Sequence, residues 1–130
     1  MKRLLLVEDQ VSDARNAAQV AGSLGIDTVD ASRTVQGAMT YLEQGLTGTG
    51  PLPDGIVLDL DLGLESGFEL LRFWHQTPAL SKIPVIVWSV VEEQKNVCDL
   101  FKVDSFVSKW EGLGAFRQAL GRLVASSPSD

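Results

Sequence analysis

The chain has 130 residues, of which 45% are hydrophobic and 22% are charged, and its net charge at pH 7 is −6. This length and composition predict one globular domain and argue against a disordered chain. The acidic balance, without a cluster of lysine or arginine, argues against a nucleic-acid or anionic-lipid partner. One cysteine, Cys98, and one histidine, His75, exclude an intrachain disulfide and a tetrahedral zinc site.

The sequence also argues against a membrane segment. No apolar run approaches the roughly 20 residues that a membrane-spanning helix needs. The N-terminal apolar run stops at Glu8 and Asp9, too early for the apolar core of a signal peptide. We therefore expect a cytoplasmic protein without membrane contact.

Short apolar runs alternate with helical patterns along the chain. The predicted strands cover residues 4–7, 26–31, 55–60, 84–89 and 105–108. The predicted helices cover residues 11–24, a segment capped by Ser32 that includes Leu42, and residues 65–75, 91–102 and 112–124. Five such units with short connections predict an α/β protein with a doubly wound, five-stranded parallel sheet. We expect one domain over residues 1–125 and a short tail over residues 126–130.

Functional side chains follow several of the predicted strands. Glu8 and Asp9 come after the first strand and Asp59 within the end of the third, while Ser89 and Lys109 fall at the ends of the last two. In doubly wound sheets the functional site lies outside these carboxyl ends. Gathered acids repel each other and resist leaving water, so such a site needs a compensating cation. Oxygen ligands favour a hard ion such as Mg²⁺, and a free carboxylate there can attack phosphorus to form an acyl phosphate.

Four segments at strand ends carry a resemblance to a known family. They are VED at 7–9, LDLDLGLESG at 58–67, PVIVWS at 84–89 and FVSK at 106–109. With these segments in this order, the chain resembles the receiver domain of two-component response regulators along nearly its whole length. The resemblance implies a flavodoxin-like (βα)₅ receiver fold with strand order 2-1-3-4-5.

The resemblance implies a phosphoryl acceptor and a metal site. Asp59 resembles the acceptor. Its phosphoryl group would come from the phosphohistidine of a histidine kinase or a phosphotransfer protein. Asp9 is similar to a direct Mg²⁺ ligand, and Glu8 to one that acts through water. Asp59 would also bind the ion, and Asp61 would bind it through its backbone carbonyl. Gly67 lies eight residues after Asp59, the offset of the family motif, and no glycine has that offset from Asp61.

The remaining motif residues match positions that read the phosphoryl group. Ser89 matches the switch hydroxyl, Lys109 the lysine that pairs with the phosphate, and Phe106 the aromatic position that follows the switch. The resemblance thus implies a signalling protein rather than an enzyme. We expect no output domain after residue 130, and therefore a stand-alone receiver that signals by protein contact. The expected contact face comprises the fourth helix, the fifth strand and the fifth helix, and it includes Trp110.

Three residues depart from the family pattern. Gly63 and Trp110 stand where the family usually has proline, and Val90 replaces a smaller residue after the switch hydroxyl. The larger Val90 side chain predicts slow loss of the phosphoryl group, because it narrows the approach of water. At Trp110 the family's cis bond would cost about 2.5–4 kcal/mol without proline, which leaves a trans bond with a rearranged loop or a strained cis bond.

Three other classes of protein compete with a phosphorylated receiver. A pseudo-receiver would keep the fold as an interaction module without phosphorylation. A phosphatase of the haloacid-dehalogenase type would use the Asp59-Leu60-Asp61 fragment, but that family places the fragment after its first strand. A flavodoxin-like carrier of flavin mononucleotide needs a phosphate-binding first loop, whereas the EDQVSD loop at 8–13 would repel phosphate.

Overall fold

The fold consists of strands and helices that alternate along the chain, and the computed structural model describes residues 1–63, 65–90 and 95–127. The strands are β1 (Arg3–Val7), β2 (Thr28–Ser32), β3 (Gly55–Leu58), β4 (Asp61–Leu62), β5 (Glu65–Ser66), β6 (Val85–Ser89) and β7 (Ser105–Ser108). The helices are α1 (Val11–Ser23), α2 (Val35–Thr47), α3 (Phe68–Gln76), α4 (Pro78–Ser81), α5 (Lys95–Leu100) and α6 (Leu113–Ser126). Within these residues, no helix is both long and apolar enough to cross a membrane.

The main sheet has five parallel strands in the order β2-β1-β3-β6-β7. Counted along the chain without the short β4–β5 hairpin, this order is 2-1-3-4-5. The predicted fold class and strand order are therefore confirmed. The central strands β3 and β6 are buried along their whole length, as expected for a parallel sheet covered on both faces.

Successive residues of each strand point to opposite faces of the sheet and build two separate core layers. One layer lies between the sheet and helices α1 and α6. Its buried members include Leu4, Leu6, Ala17, Ala21, Val57, Ile86, Trp88, Phe116 and Leu120. The other layer lies against α2, α3 and α4, and its buried members include Leu5, Val7, Ala38, Leu42, Ile56, Leu58, Leu71, Trp74 and Leu80.

The segment after the third strand differs from its prediction. β3 ends at Leu58, and a small antiparallel hairpin of β4 and β5 precedes α3, which begins at Phe68 rather than at residue 65. The backbone N–H of Gly67 donates to the carbonyl of Leu60 at 2.9 Å, which closes this loop before the helix starts. Local helical spacing could not reveal the hairpin, because its antiparallel pairing involves only two residues on each side.

Other boundaries differ by a few residues. The predicted cap Ser32 belongs to β2, and Thr34 caps α2 instead, since its hydroxyl oxygen accepts from the N–H of Gly37 at 2.9 Å. Pro78 opens the short helix α4, where its fixed φ suits the first position. α6 ends at Ser126, one residue inside the expected tail. Of the helix predicted over 91–102, α5 covers Lys95–Leu100, and residues 91–94 lie outside the described residues, as do residues 128–130 of the tail.

Candidate functional site

The predicted functional side chains meet at one edge of the sheet. Glu8 and Asp9 follow β1, Asp59 follows β3, Ser89 ends β6, and Lys109 follows β7. These four strands are neighbours in the sheet, so their carboxyl ends lie side by side.

Backbone hydrogen bonds continue the sheet into the two acidic segments. The N–H of Asp59 donates to the carbonyl of Val7 at 3.0 Å, and the N–H of Glu8 donates to that of Ser32 at 3.0 Å. These bonds fix the backbone that carries the acids, so that the sheet itself sets the separation of the carboxylates.

Three carboxylates form a compact cluster that fits a divalent metal ion. One carboxylate oxygen from each of Glu8, Asp9 and Asp59 lies within 4.8 Å of the others. Glu8 is 2% exposed and Asp59 is 3% exposed. Oδ1 of Asp9 is also buried and has no hydrogen-bond partner within the described part of the chain. Buried oxygens normally have partners, so an unpaired one among gathered acids matches the oxygen ligand set of a hard cation.

Lys109 bridges three acids at the site. Its Nζ lies 2.8 Å from Glu8 Oε2, 2.8 Å from Asp13 Oδ2 and 2.9 Å from Asp59 Oδ2. An ammonium group has three N–H donors, so these three carboxylates can use all of them. The same Nζ lies 5.0 Å from the ring centroid of Trp88, within the range of a cation–π contact.

Burial and neighbouring charges shift the pKa values in this cluster. Burial raises the pKa of Glu8 to about 8, and the charge of Asp59 adds to this effect while Lys109 opposes it. Burial lowers the pKa of Lys109, but its hydrogen bonds to Asp13, Glu8 and Asp59 outweigh burial and raise the pKa above its usual value. The site thus holds Lys109 as a cation and keeps Glu8 close to titration near neutral pH.

Ser89, Asp61 and Phe106 surround this cluster in different ways. The hydroxyl oxygen of Ser89 is buried and has no hydrogen-bond partner among the described residues. The backbone N–H of Asp61 donates to Asp59 Oδ1 at 2.9 Å, whereas the Asp61 side chain is exposed. Phe106 lies in β7, half-buried against the layer of α2 and α3. The structure gives these positions, and the switch and ligand roles of the three residues stay predictions.

Gly67 packs directly against the backbone of Asp59. A Cβ atom at residue 67 would lie 2.6 Å from the Asp59 carbonyl oxygen and 2.9 Å from Leu60 Cα. Both contacts are with backbone, which cannot move aside as a flexible side chain can. These close contacts explain why the residue eight positions after Asp59 is a glycine.

The loop after Asp59 also departs from the family at Gly63. Its φ is +70°, a left-handed conformation that glycine adopts readily and proline cannot. A Cβ atom at this position would lie 3.6 Å from Asp9 Oδ2, so Gly63 lies beside the acidic cluster. The family's usual proline would therefore require a different backbone here.

The Lys109–Trp110 peptide bond is trans, since the described residues contain no cis bond. Residues Lys109–Glu111 form a single 3₁₀ turn, and the hydroxyl oxygen of Ser108 accepts from the N–H of Trp110 at 3.2 Å. Of the two arrangements considered for this bond, the trans form with its own loop conformation is the one observed. The Trp110 side chain is 79% exposed.

Sequence reasoning missed two contributors to the site. Asp13 lies in the first turn of α1 and reaches Lys109, which is 96 residues away in the chain. Trp88 is buried and stacked on Phe116, with ring centroids 4.4 Å apart. Its contact with Lys109 is the additional feature. Trp88 lies in the PVIVWS segment directly before Ser89, whereas Asp13 lies in none of the four segments that carry the resemblance.

Comparisons with known proteins agree with this architecture. No family model matches the chain. The response regulator Rcp1 of Synechocystis sp. is 33% identical over 116 residues, which cover 86% of this chain and 79% of Rcp1.

Two solved structures of response regulators match nearly the whole fold. The Mn²⁺-bound form of response regulator Rcp1 has a TM-score of 0.80 and 28% identity, and the match covers 99% of this chain and 100% of that one. The phosphorylated cyanobacterial phytochrome response regulator RcpA has a TM-score of 0.81 and 30% identity, with coverage of 98% and 99%. The chain therefore belongs to the response regulators, and its fold is that of their receiver domains.

Proposed function

We propose that Asp59 accepts a phosphoryl group from the phosphohistidine of a histidine kinase or a phosphotransfer protein, with Mg²⁺ as cofactor. The observation that carries this proposal is the position of the Asp59 carboxylate between a lysine and two further acids. Lys109 Nζ lies 2.9 Å from it, and oxygens of Glu8 and Asp9 lie within 4.8 Å. A carboxylate in this setting has both a cation for the incoming phosphoryl oxygens and acids that can hold a metal ion.

The transfer needs one bond to form and one to break. A carboxylate oxygen of Asp59 bonds to phosphorus, and the phosphorus–nitrogen bond of the phosphohistidine breaks. Its electron pair passes to the imidazole nitrogen, which then takes up a proton. Lys109 offsets negative charge on the phosphoryl oxygens, and the unpaired Ser89 hydroxyl can donate to one of them. When bound through Glu8, Asp9 and Asp59, Mg²⁺ would supply further positive charge at the same place.

Two of the similar proteins support the proposal. Rcp1 is described in an Mn²⁺-bound form, and RcpA is described as phosphorylated and as a phytochrome response regulator. These descriptions favour divalent metal binding and phosphorylation in this chain. They also make a histidine kinase of the phytochrome class the first donor to test.

Mass spectrometry of the intact protein tests the acceptor directly. The wild type is incubated with acetyl phosphate and Mg²⁺, and in parallel with a phosphorylated histidine kinase. We expect a mass increase of one phosphoryl group, which disappears in Asp59→Asn. Asp61→Asn is the matched control, since its side chain is exposed two residues away, and it should still incorporate the group.

Two outcomes would overturn the proposal. Incorporation that persists in Asp59→Asn would place the acceptor elsewhere. Absence of incorporation in the wild type with both donors, together with no spectral response to beryllofluoride and Mg²⁺, would favour a pseudo-receiver that acts without phosphorylation.

We also propose that Val90 slows the loss of the phosphoryl group. Val90 directly follows Ser89, which ends β6 at the site, and its branched side chain is 38% exposed. Val90→Ala is expected to shorten the lifetime of the phosphorylated protein several-fold, as followed by mass spectrometry after removal of the donor. A lifetime that is unchanged or longer in the variant would contradict this role.

The signal is proposed to leave through the face that contains α5, β7 and α6. Trp110 and Leu113 expose apolar surface there, at 79% and 42% of their areas. Trp110→Ala should leave phosphorylation by acetyl phosphate unchanged. It should weaken either transfer from the kinase or association between phosphorylated chains, measured by transfer kinetics and light scattering. If neither changes, Trp110 is not a contact residue.

A further inference from the structure

Lys109 takes its three acidic partners from different parts of the fold. Glu8 and Asp59 follow strands of the sheet, whereas Asp13 lies in the first turn of α1. The Lys109–Asp13 distance of 2.8 Å equals the Lys109–Glu8 distance. Asp13 is thus a full partner of the lysine, although it lies outside the strand ends that define the site.

The three partners differ in what the phosphorylated site requires of them. Glu8 and Asp59 belong to the cluster of oxygens that can hold a metal ion, and Asp59 is the proposed acceptor. Both therefore have other groups to contact once a cation and a phosphoryl group are present. Asp13 does not belong to that cluster, and its side chain is 31% exposed, against 1% for Glu8 and 4% for Asp59.

We propose that Asp13 is a positioning residue that holds Lys109 across the site while its contacts with Glu8 and Asp59 change. This inference rests on the proposed phosphorylation of Asp59. With Asp13 in place, one N–H of the ammonium group stays fixed and the others are directed toward the acceptor. Without it, the long lysine side chain gains orientations in which it does not face the phosphoryl oxygens. Misplacement of a catalytic group by about 1 Å can cost up to a hundredfold in rate.

A positioning role for Asp13 should affect the rate of phosphoryl transfer and not the binding of the phosphodonor. Loss of the fixed lysine should lower the maximal rate of phosphorylation at saturating donor. Binding of the anionic donor should not weaken, because removal of one negative charge reduces repulsion at the site. If Asp13 only stabilised the fold, its removal would change neither the maximal rate per folded molecule nor the half-saturating concentration of the donor.

Asp13→Asn tests the inference with two matched variants. Asp13→Glu keeps the charge, and Asp27→Asn removes one charge from the exposed segment between α1 and β2, at the opposite edge of the sheet. Phosphorylation by acetyl phosphate with Mg²⁺ is followed by mass spectrometry over a range of donor concentrations. We expect the maximal rate of Asp13→Asn to fall about tenfold, with a half-saturating concentration that does not rise. Asp13→Glu should recover most of the rate, and Asp27→Asn should match the wild type.

Trp88 provides a second readout that needs no phosphorylation. Its ring lies 5.0 Å from Lys109 Nζ, so a displaced ammonium group changes the electric field at the indole. The protein is labelled with 5-fluorotryptophan, and the ¹⁹F resonance of Trp88 is assigned with Trp88→Phe. Asp13→Asn should shift this resonance and leave those of Trp74 and Trp110 in place.

The two readouts distinguish failure of this inference from failure of the proposed function. An unchanged maximal rate, or a loss that appears only as a higher half-saturating concentration, overturns the positioning role. If the wild type takes up no phosphoryl group, the proposed function fails. The ¹⁹F shift then still decides whether Asp13 positions Lys109, and an unchanged Trp88 resonance rejects it.

Discussion

Two ionic clusters of this molecule show how differently similar groups can be arranged. The acidic site combines the carboxylates of Glu8, Asp9, Asp13 and Asp59 with one ammonium group that contacts three of them, a net charge of −3 when all are ionised. The Arg3 cluster, formed by Arg3, Asp30 and Tyr41, joins β1, β2 and α2. Its guanidinium and carboxylate cancel each other's charge, and the Tyr41 hydroxyl donates to the same carboxylate.

The difference appears in the pKa values. Burial raises the pKa of Asp30, but hydrogen bonds from Tyr41 and Arg3 outweigh it and hold the pKa below its usual value. The buried acid of the other cluster, Glu8, has a pKa raised to about 8. A structural cluster satisfies its charges internally, whereas the acidic site retains an excess of negative charge and unpaired oxygens. That excess suits a metal ion and the proposed phosphoryl acceptor, and it distinguishes the candidate site from the Arg3 cluster.

The largest expected effect comes from removal of the one cation of the acidic site. Lys109→Met should lower the free energy of unfolding in metal-free buffer by about 3 kcal/mol, because it leaves buried carboxylates without a counter-charge. Urea unfolding in the presence of a chelator measures this change, and Mg²⁺ should restore part of it by binding the folded state. Lys82→Met, at an exposed position after α4, is the control. A loss no larger than that of the control would show that the carboxylates tolerate each other without Lys109.

A second effect should appear in the pH dependence of stability. Because the pKa of Glu8 is about 8 in the folded protein and ordinarily 4.5, the folded state binds more protons between these values. The contribution of Glu8 to the free energy of unfolding is therefore fully present below pH 4.5, and it is lost as the pH rises through about 8. Urea unfolding across this range, without metal, should show the decline, and Glu8→Gln should flatten it. A wild-type curve parallel to that of Glu8→Gln would contradict the assignment.

The smallest change in stability is expected in the Arg3 cluster. Asp30→Asn removes a charge that lies partly in water, so the free energy of unfolding should change less than in Lys109→Met. Burial and the Asp30 carboxylate raise the pKa of Tyr41 to about 12. Since Tyr41 is the single tyrosine of the chain, ultraviolet titration follows its ionisation directly. The midpoint should move toward the ordinary value of 10.0 in Asp30→Asn. An unchanged midpoint would mean that Asp30 does not stabilise the neutral tyrosine.

The sequence predicted the sheet and the meeting of its acids because these depend on local patterns. Apolar runs identify the strands, and the residue after each run falls at a known edge of a parallel sheet. The same local reasoning failed for the β4–β5 hairpin, which pairs only two residues on each side, and for the Thr34 cap, which depends on one side-chain hydrogen bond. Asp13 could not be assigned either. Its role depends on how α1 packs beside the end of β7, which no spacing along the chain expresses.

The close approach of Gly67 to the backbone of Asp59 has a consequence for how the proposed function could be lost in evolution. Any side chain at residue 67 would press on the main chain of Asp59, the proposed acceptor, with a Cβ atom only 2.6 Å from the Asp59 carbonyl oxygen. A related gene could therefore retain every carboxylate and the lysine, and still encode a chain in which Asp59 is displaced. An inventory of charged residues would count such a chain as active, so residue 67 belongs in any comparison that separates working receivers from silent ones.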